Sequence, residues 1–170
     1  MRGETGIGHF VGASPLVLTT QDSESQWQMG RVGRLRGKRH MQKITTFLMF
    51  GGQAEEAIRF YTSLFDNSHI LSMNLYGADE PGAEGTVMHA TFSLDGQLFM
   101  GIDSNIEHAF TFTPAISLHV SCETEAEIDR LFQALSQDGQ VLMPLDSYPF
   151  SEKYGWLSDR FGVSWQLSLA

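Results

Sequence analysis

Three side chains in this 170-residue sequence, His89, Asp103 and His119, carry acid-base or metal-ligating chemistry on segments that read as strands. A carboxylate beside an imidazole orients the ring and tunes its proton affinity, giving an acid-base pair. Three such groups converging would hold a divalent ion through nitrogen and oxygen lone pairs. Gln166 adds an amide that is only a weak neutral ligand but both donates and accepts hydrogen bonds. Each has a plainer reading. His119 stands near Ser117 and Ser121 and serves equally by facing solvent, Asp103 ends a strand as a turn residue, and Trp156 and Trp165 read as core. Cys122, the sole cysteine, has no basic partner in sequence and reads as a buried inert thiol. One cysteine forms no internal disulfide and no Cys-based zinc cluster, which fits a reducing cytoplasm.

The elements that must position these groups follow from periodicity. Ile44 to Phe50 is a strand-type run closed by Gly51-Gly52. From Gln53 to Phe65 apolar residues recur at spacings of three and four (Ala54, Ala57, Ile58, Tyr61, Leu64, Phe65), which predicts an amphipathic helix. Strands are expected over Ser68–Tyr76, Thr86–Leu94 and Gln97–Ile102, the last two joined by an Asp95-Gly96 hairpin turn. The order then repeats. Ala115–Cys122 is a strand, and Thr124 with Glu127 forms a capping box that opens a second helix with the stripe Ile128, Leu131, Phe132, Leu135 and a left-handed stop at Gly139. Gln140–Met143, Tyr154–Ser158 and Val163–Leu169 follow, the last pair across an Asp159–Gly162 turn. The fold class is α+β: two tandem βαβββ modules, with sheets expected to curve round a shared cavity because neither helix covers both faces of a four-stranded sheet.

Composition bounds the partners. The net charge of -9 is uneven: residues 1–40 hold six Lys/Arg against three Asp/Glu, and residues 41–170 hold five against seventeen. An acidic body repels phosphate backbones, so no nucleic-acid partner is expected, and no apolar run approaches the ~20 residues that span a membrane. Residues 1–40 lack any sustained period and read as a disordered extension, with Arg34, Arg36, Lys38 and Arg39 more a solvated tail than an anionic-surface anchor. Met41 sits just ahead of the first strand, so a native start there, with an upstream-start leader, is the expectation.

The body from 41 to 170 resembles the PhnB-like branch of the vicinal oxygen chelate superfamily, which includes glyoxalase I and the fosfomycin- and bleomycin-resistance proteins. The resemblance rests on Thr46-Phe47-Leu48-Met49-Phe50 with Gln53-Ala54-Glu55-Glu56-Ala57 and Phe60-Tyr61, on Cys122-Glu123-Thr124-Glu125 with Glu127 to Leu131, and on Tyr154-Gly155-Trp156 with Asp159 to Gln166. It implies paired modules, a homodimer and a cavity holding a small molecule. Relatives often carry a demethylubiquinone methyltransferase label, discounted here because no glycine-rich nucleotide loop is read between a strand and a helix.

The resemblance also implies metal ligands, His and Glu on the first and last strands of each module. Carried over, the His places fall near Thr46 and at Ala115, the Glu place of the last strand at Gln166, and the first module's last strand offers Gly101 and Asp103. That set is mostly absent, so neither a tightly bound metal nor another cofactor is expected. Alternation along the strands leaves Ser117 and His119, and Ser164, Gln166 and Ser168, opposite the core, and the ligand-binding residues are expected to be Thr46, Phe50, His89, Asp103, His119 and Gln166. The favoured function is binding of a small polar organic molecule by a cytoplasmic protein. The alternatives are a metal-dependent lyase, dioxygenase or glyoxalase-type enzyme with relocated ligands such as His89, Asp103 and His119, or a structural dimer whose cavity is filled by some of the twelve Phe and eight Met side chains.

Overall fold

The computed structural model describes residues 42–170; the extension expected over 1–40 lies outside the described residues. Element order is β1 (Thr46–Phe50), α1 (Ala54–Leu64), β2 (His69–Leu75), β3 (Val87–Leu94), β4 (Gln97–Asp103), then β5 (Leu118–Cys122), α2 (Glu125–Ser136), β6 (Gln140–Tyr148), β7 (Ser151–Ser158) and β8 (Ser164–Leu169). The strands form two four-stranded sheets, β1-β4-β3-β2 and β5-β8-β7-β6. In each, the first strand runs parallel to the last and the other neighbours are antiparallel. The α+β architecture of two tandem βαβββ modules is therefore present, with one topology used twice.

Local chemistry fixes these elements. On α1 the stripe Ala54, Ala57, Ile58 and Tyr61 is buried, while Glu55 and Arg59 pair on the outside at 2.8 Å. On α2 the Thr124 hydroxyl accepts from Glu127 N at 3.2 Å and the Glu127 carboxylate accepts from Glu123 N at 2.9 Å, a capping box displaced by one residue at its return contact. Asp95 and Gly96 both take positive φ, 44° and 79°, which matches the right-handed twist of the β3–β4 hairpin.

Several boundaries differ from expectation, among them the start of β7 at Ser151 ahead of the expected Tyr154. Asp138 (φ 56°), not Gly139, turns left-handed after α2. Gly139 is needed for space, since a Cβ there would lie 2.4 Å from the Ser158 carbonyl oxygen. Strand β6 runs on to Tyr148 through Pro144, which an edge strand with register shifts tolerates because no inner neighbour needs its amide. Strand β5 begins only at Leu118, not at the expected Ala115, leaving Ile116 80% exposed.

One core serves both modules. Leu48, Phe50, Phe92 and Phe99 of the first sheet and Leu157, Trp165 and Leu167 of the second belong to it, with the apolar faces of both helices. Helix α1 links the halves: the Tyr61 ring meets Trp165 at 5.3 Å and Phe65 stacks on the same indole at 5.7 Å. Each sheet therefore turns its helix-packed face inward and its other face away from the common core.

Candidate functional site on the second sheet

The site grows from the parity of β5, β8 and β7. Trp165 and Leu167 are buried, so alternation carries Ser164, Gln166 and Ser168 to the opposite face. Register places His119, Gln166 and Trp156 side by side across β5, β8 and β7. Four side-chain hydrogen bonds tie this face together. The Tyr154 hydroxyl donates to Gln166 Oε1 at 2.9 Å, Gln166 Nε2 donates to Ser117 Oγ at 3.2 Å, the Ser117 and Ser164 hydroxyls are 2.8 Å apart, and Trp156 Nε1 donates to Ser164 Oγ at 2.9 Å. His119 Nε2 stands 3.2 Å from Ser168 Oγ beside the chain.

Tyr154 is held in place by aromatic neighbours, Tyr148 edge-on at 6.0 Å and Phe150 at 5.2 Å. Burial, with Tyr148 adding to it, pushes the Tyr154 phenol above its ordinary value, so at neutral pH it remains a hydroxyl donor. Beside this face an open groove of about 1020 Å³ runs between the modules. Thr46, Gln97 and Phe99 border it from the first module, and Ser117, His119, Ser121 and Arg130 from the second.

The six expected ligand residues divide into groups. His119 and Gln166 are register neighbours on one face, and Thr46 borders the same groove as His119. Phe50 and Asp103 border a different cavity of about 750 Å³ at the ends of β1 and β4, with both residues buried. On β1, Phe50, expected to face the ligand, packs inward with Leu48, and Phe47 and Met49 face out. His89 also faces out, 6.3 Å from the Phe47 ring, because a register shift at Met88 leaves Val87 in the core and turns His89 and Thr91 the other way.

Asp103 is a backbone cap. Its Oδ1 accepts from Gly52 N at 2.7 Å and Ala54 N at 3.0 Å, and its Oδ2 from Val87 N at 2.9 Å. The relocated metal set of His89, Asp103 and His119 is thus not brought together: His89 and Asp103 lie on opposite faces of the first sheet and His119 on the second. The places that the resemblance implies for metal ligands hold Thr46, Ala115 and Gln166, and among the described residues no three His, Cys, Asp or Glu side chains converge as a metal site. These side chains do not fit a divalent ion.

A Ser–His contact elsewhere is also not a nucleophile. Ser104 Oγ lies 2.8 Å from His108 Nε2, but it donates its one proton to the Ile106 carbonyl at 2.9 Å, so the ring nitrogen gives a proton rather than taking one. The residues that sequence reasoning missed are Tyr154 and Trp156. The available signal was their spacing on β7, which puts both on the face opposite Gly155 and Leu157.

Comparison with known proteins agrees with this architecture. Residues 42–168 match the family model described as 3-demethylubiquinone-9 3-methyltransferase. No curated protein matches the chain. The solved structure of a PhnB protein from Bacillus cereus is 67% identical with a TM-score of 0.75, over 76% of this chain and 100% of that one. A structure from Pseudomonas aeruginosa is 27% identical with a TM-score of 0.66, over 75% of this chain and 97% of that one. A fosfomycin resistance protein from Listeria monocytogenes, 10% identical over 76% of this chain and 93% of that one with a TM-score of 0.55, shares the fold. A family-model match over most of the chain and 67% identity across a whole solved relative make this chain a member of the PhnB-like family that the 3-demethylubiquinone-9 3-methyltransferase model describes.

Proposed function

We propose that the protein binds a small polar organic molecule on the hydroxyl- and amide-bearing face of its second sheet. The observation that carries this reading is the Tyr154–Gln166–Ser117–Ser164–Trp156 network on an outward-facing sheet surface. The outward positions of β5 and β8 are His119, Ser121, Ser164, Gln166 and Ser168, without a Lys, Arg, Asp or Glu. A sheet face built only to meet water and block edge pairing carries charged side chains; this one carries paired neutral polar groups beside an indole, the composition of a recognition surface.

Two copies complete the proposal. The outward face of the first sheet carries Phe47, 51% exposed, beside Met49, and an apolar face of this kind is covered in a stable assembly. We assign it to a homodimer contact. The described helices include none long and apolar enough to cross a membrane, and a cytoplasmic location is part of the same reading, supported by the free, buried Cys122.

Methyl transfer is left out of this reading for a geometric reason. The glycine turn into α1 is where the anionic part of a nucleotide-like donor would seek helix N-terminal N–H groups, and those of Gly52 and Ala54 are already bonded to the Asp103 carboxylate.

Thermal-shift screening of the full chain against metabolite and antibiotic panels tests the proposal. Ligands that raise the melting temperature are expected, with the rise abolished in Gln166→Leu and reduced in His119→Ala. A panel without a single stabilising compound, or stabilisation that persists unchanged in both variants, would count against it.

A further inference from the structure

The network on the second sheet has a hydrogen count that constrains its ligand. Tyr154, Trp156, Ser117 and Ser164 each bring one polar hydrogen and the Gln166 amide brings two, so the five side chains hold six. The four bonds among them use four of those hydrogens. Two remain, one on a serine hydroxyl and one on the Gln166 amide nitrogen. The number does not change if the amide is turned round or the serine pair reverses direction. Gln166 and Ser117 are half-buried and Ser164 is buried, so the spare amide N–H reaches the surface, and the spare hydroxyl does so when it sits on Ser117 with Ser164 donating to it.

A ligand that covers this face strips water from both donors. An N–H or O–H left unpaired costs its desolvation, whereas the second lone pair of an oxygen that already accepts one bond goes unfilled at little cost. The face therefore demands acceptors from its ligand. The surrounding chain disfavours a negatively charged one: residues 41–170 hold seventeen Asp/Glu against five Lys/Arg.

We infer that this face selects uncharged ligands bearing a carbonyl-type acceptor oxygen, with Tyr154 as the positioning residue that occupies the Gln166 carbonyl and leaves the amide nitrogen for the ligand. The inference rests on the small-molecule-binding reading above and adds the chemical class. Tyr154 suits the role because Tyr148 and Phe150 fix its ring and burial keeps its hydroxyl protonated.

The test uses the ¹⁵N-labelled full chain and two fluoroaryl probes that differ at the polar end, 4-fluoroacetophenone, which only accepts there, and 4-fluoroaniline, which donates. The Gln166 side-chain amide signal is identified by its loss in Gln166→Leu, and both probes are titrated while it is followed. 4-Fluoroacetophenone is expected to shift that signal and to bind about tenfold more tightly than 4-fluoroaniline, the worth of one net hydrogen bond. In Tyr154→Phe the Gln166 carbonyl loses its donor, so 4-fluoroaniline gains a place to bind and the ratio falls towards one. In Gln166→Glu, where lone pairs replace both N–H groups, the preference reverses. A role for Tyr154 in folding alone would move both affinities together and leave the ratio intact. Equal binding of the two probes to wild type, or a ratio unchanged in Tyr154→Phe, overturns the inference while small-molecule binding stands; failure of both probes to move the Gln166 signal removes the binding reading along with it.

Discussion

The Tyr61 hydroxyl of the first module donates to Asp159 Oδ2 of the second at 2.7 Å, tying helix α1 to the turn between β7 and β8. The same oxygen accepts from Trp165 Nε1 at 2.8 Å, and Oδ1 accepts from Phe161 N at 2.9 Å and Val163 N at 3.0 Å. One buried carboxylate thus closes a turn, orients the largest core side chain and holds a helix from the other half of the chain. Burial and the Asp159 charge push the Tyr61 phenol far above its ordinary value, so it acts as a fixed donor.

Tyr61→Phe removes this donor and little else, leaving a buried carboxylate with three partners. The expected loss is about 1–3 kcal/mol, read as a lower urea midpoint at unchanged slope. Burial already raises the Asp159 carboxyl above its ordinary range against the pull of its donors, and losing one raises it further. A folded-state value raised above the unfolded one contributes stability that is fully present below the unfolded value and lost as pH rises through the folded one. The deficit of Tyr61→Phe is therefore smaller in acid, where Asp159 is protonated in both states, than at neutral pH. An unchanged midpoint would mean that the contact between modules contributes nothing.

Which features were legible in the sequence depends on how local their causes are. The helices and the Asp95-Gly96 hairpin come from periodicity and turn chemistry within a dozen residues, and both are present. The outward face of His119 and Gln166 was legible because β5 and β8 each alternate cleanly between apolar and polar residues. On β1 this signal fails: Phe47 and Met49 are as apolar as Leu48 and Phe50, so no polar parity marks the outer face. His89 depends on a shift at Met88 that no residue type announces, and Asp103 caps amides at Gly52 and Ala54 far back along the chain. The Trp156 ring reads as core because its size dominates its hydropathy, and Tyr154 enters only through the Tyr154-Gly155-Trp156 motif, yet it is the polar tips of both that the fold uses.

Cys122 offers a pH-dependent check on the core. Burial, aided by the Glu127 charge and opposed by Arg130, pushes its thiol from 9.0 to about 11. At pH 8 the thiolate fraction is then about one in a thousand, and alkylation needs the thiolate. Native protein is expected to resist iodoacetamide at pH 8 under conditions that label urea-unfolded protein completely, as followed by intact mass. Because the folded value lies above the unfolded one, the contribution of the protonated thiol to stability is intact below about 9 and fades as pH climbs through about 11. Labelling of native protein as fast as of unfolded protein would show that β5 and α2 do not enclose the thiol.

Phe47 tests the proposed assembly, since its ring sits on the outward face of β1 and stays half out of water in the single chain. Burying such a ring against a second copy contributes about 1–2 kcal/mol per protomer, and Phe47→Asp would instead place a carboxylate in an apolar contact. Sedimentation equilibrium of the wild type is expected to return twice the chain mass of 19.0 kDa, and Phe47→Asp is expected to shift the protein towards that single mass. The thermal transition at low protein concentration should change little, because the side chain lies outside the buried core. A wild type that sediments as a single chain at all concentrations would refute the dimer, and a Phe47→Asp variant that remains fully dimeric would move the contact away from the first sheet.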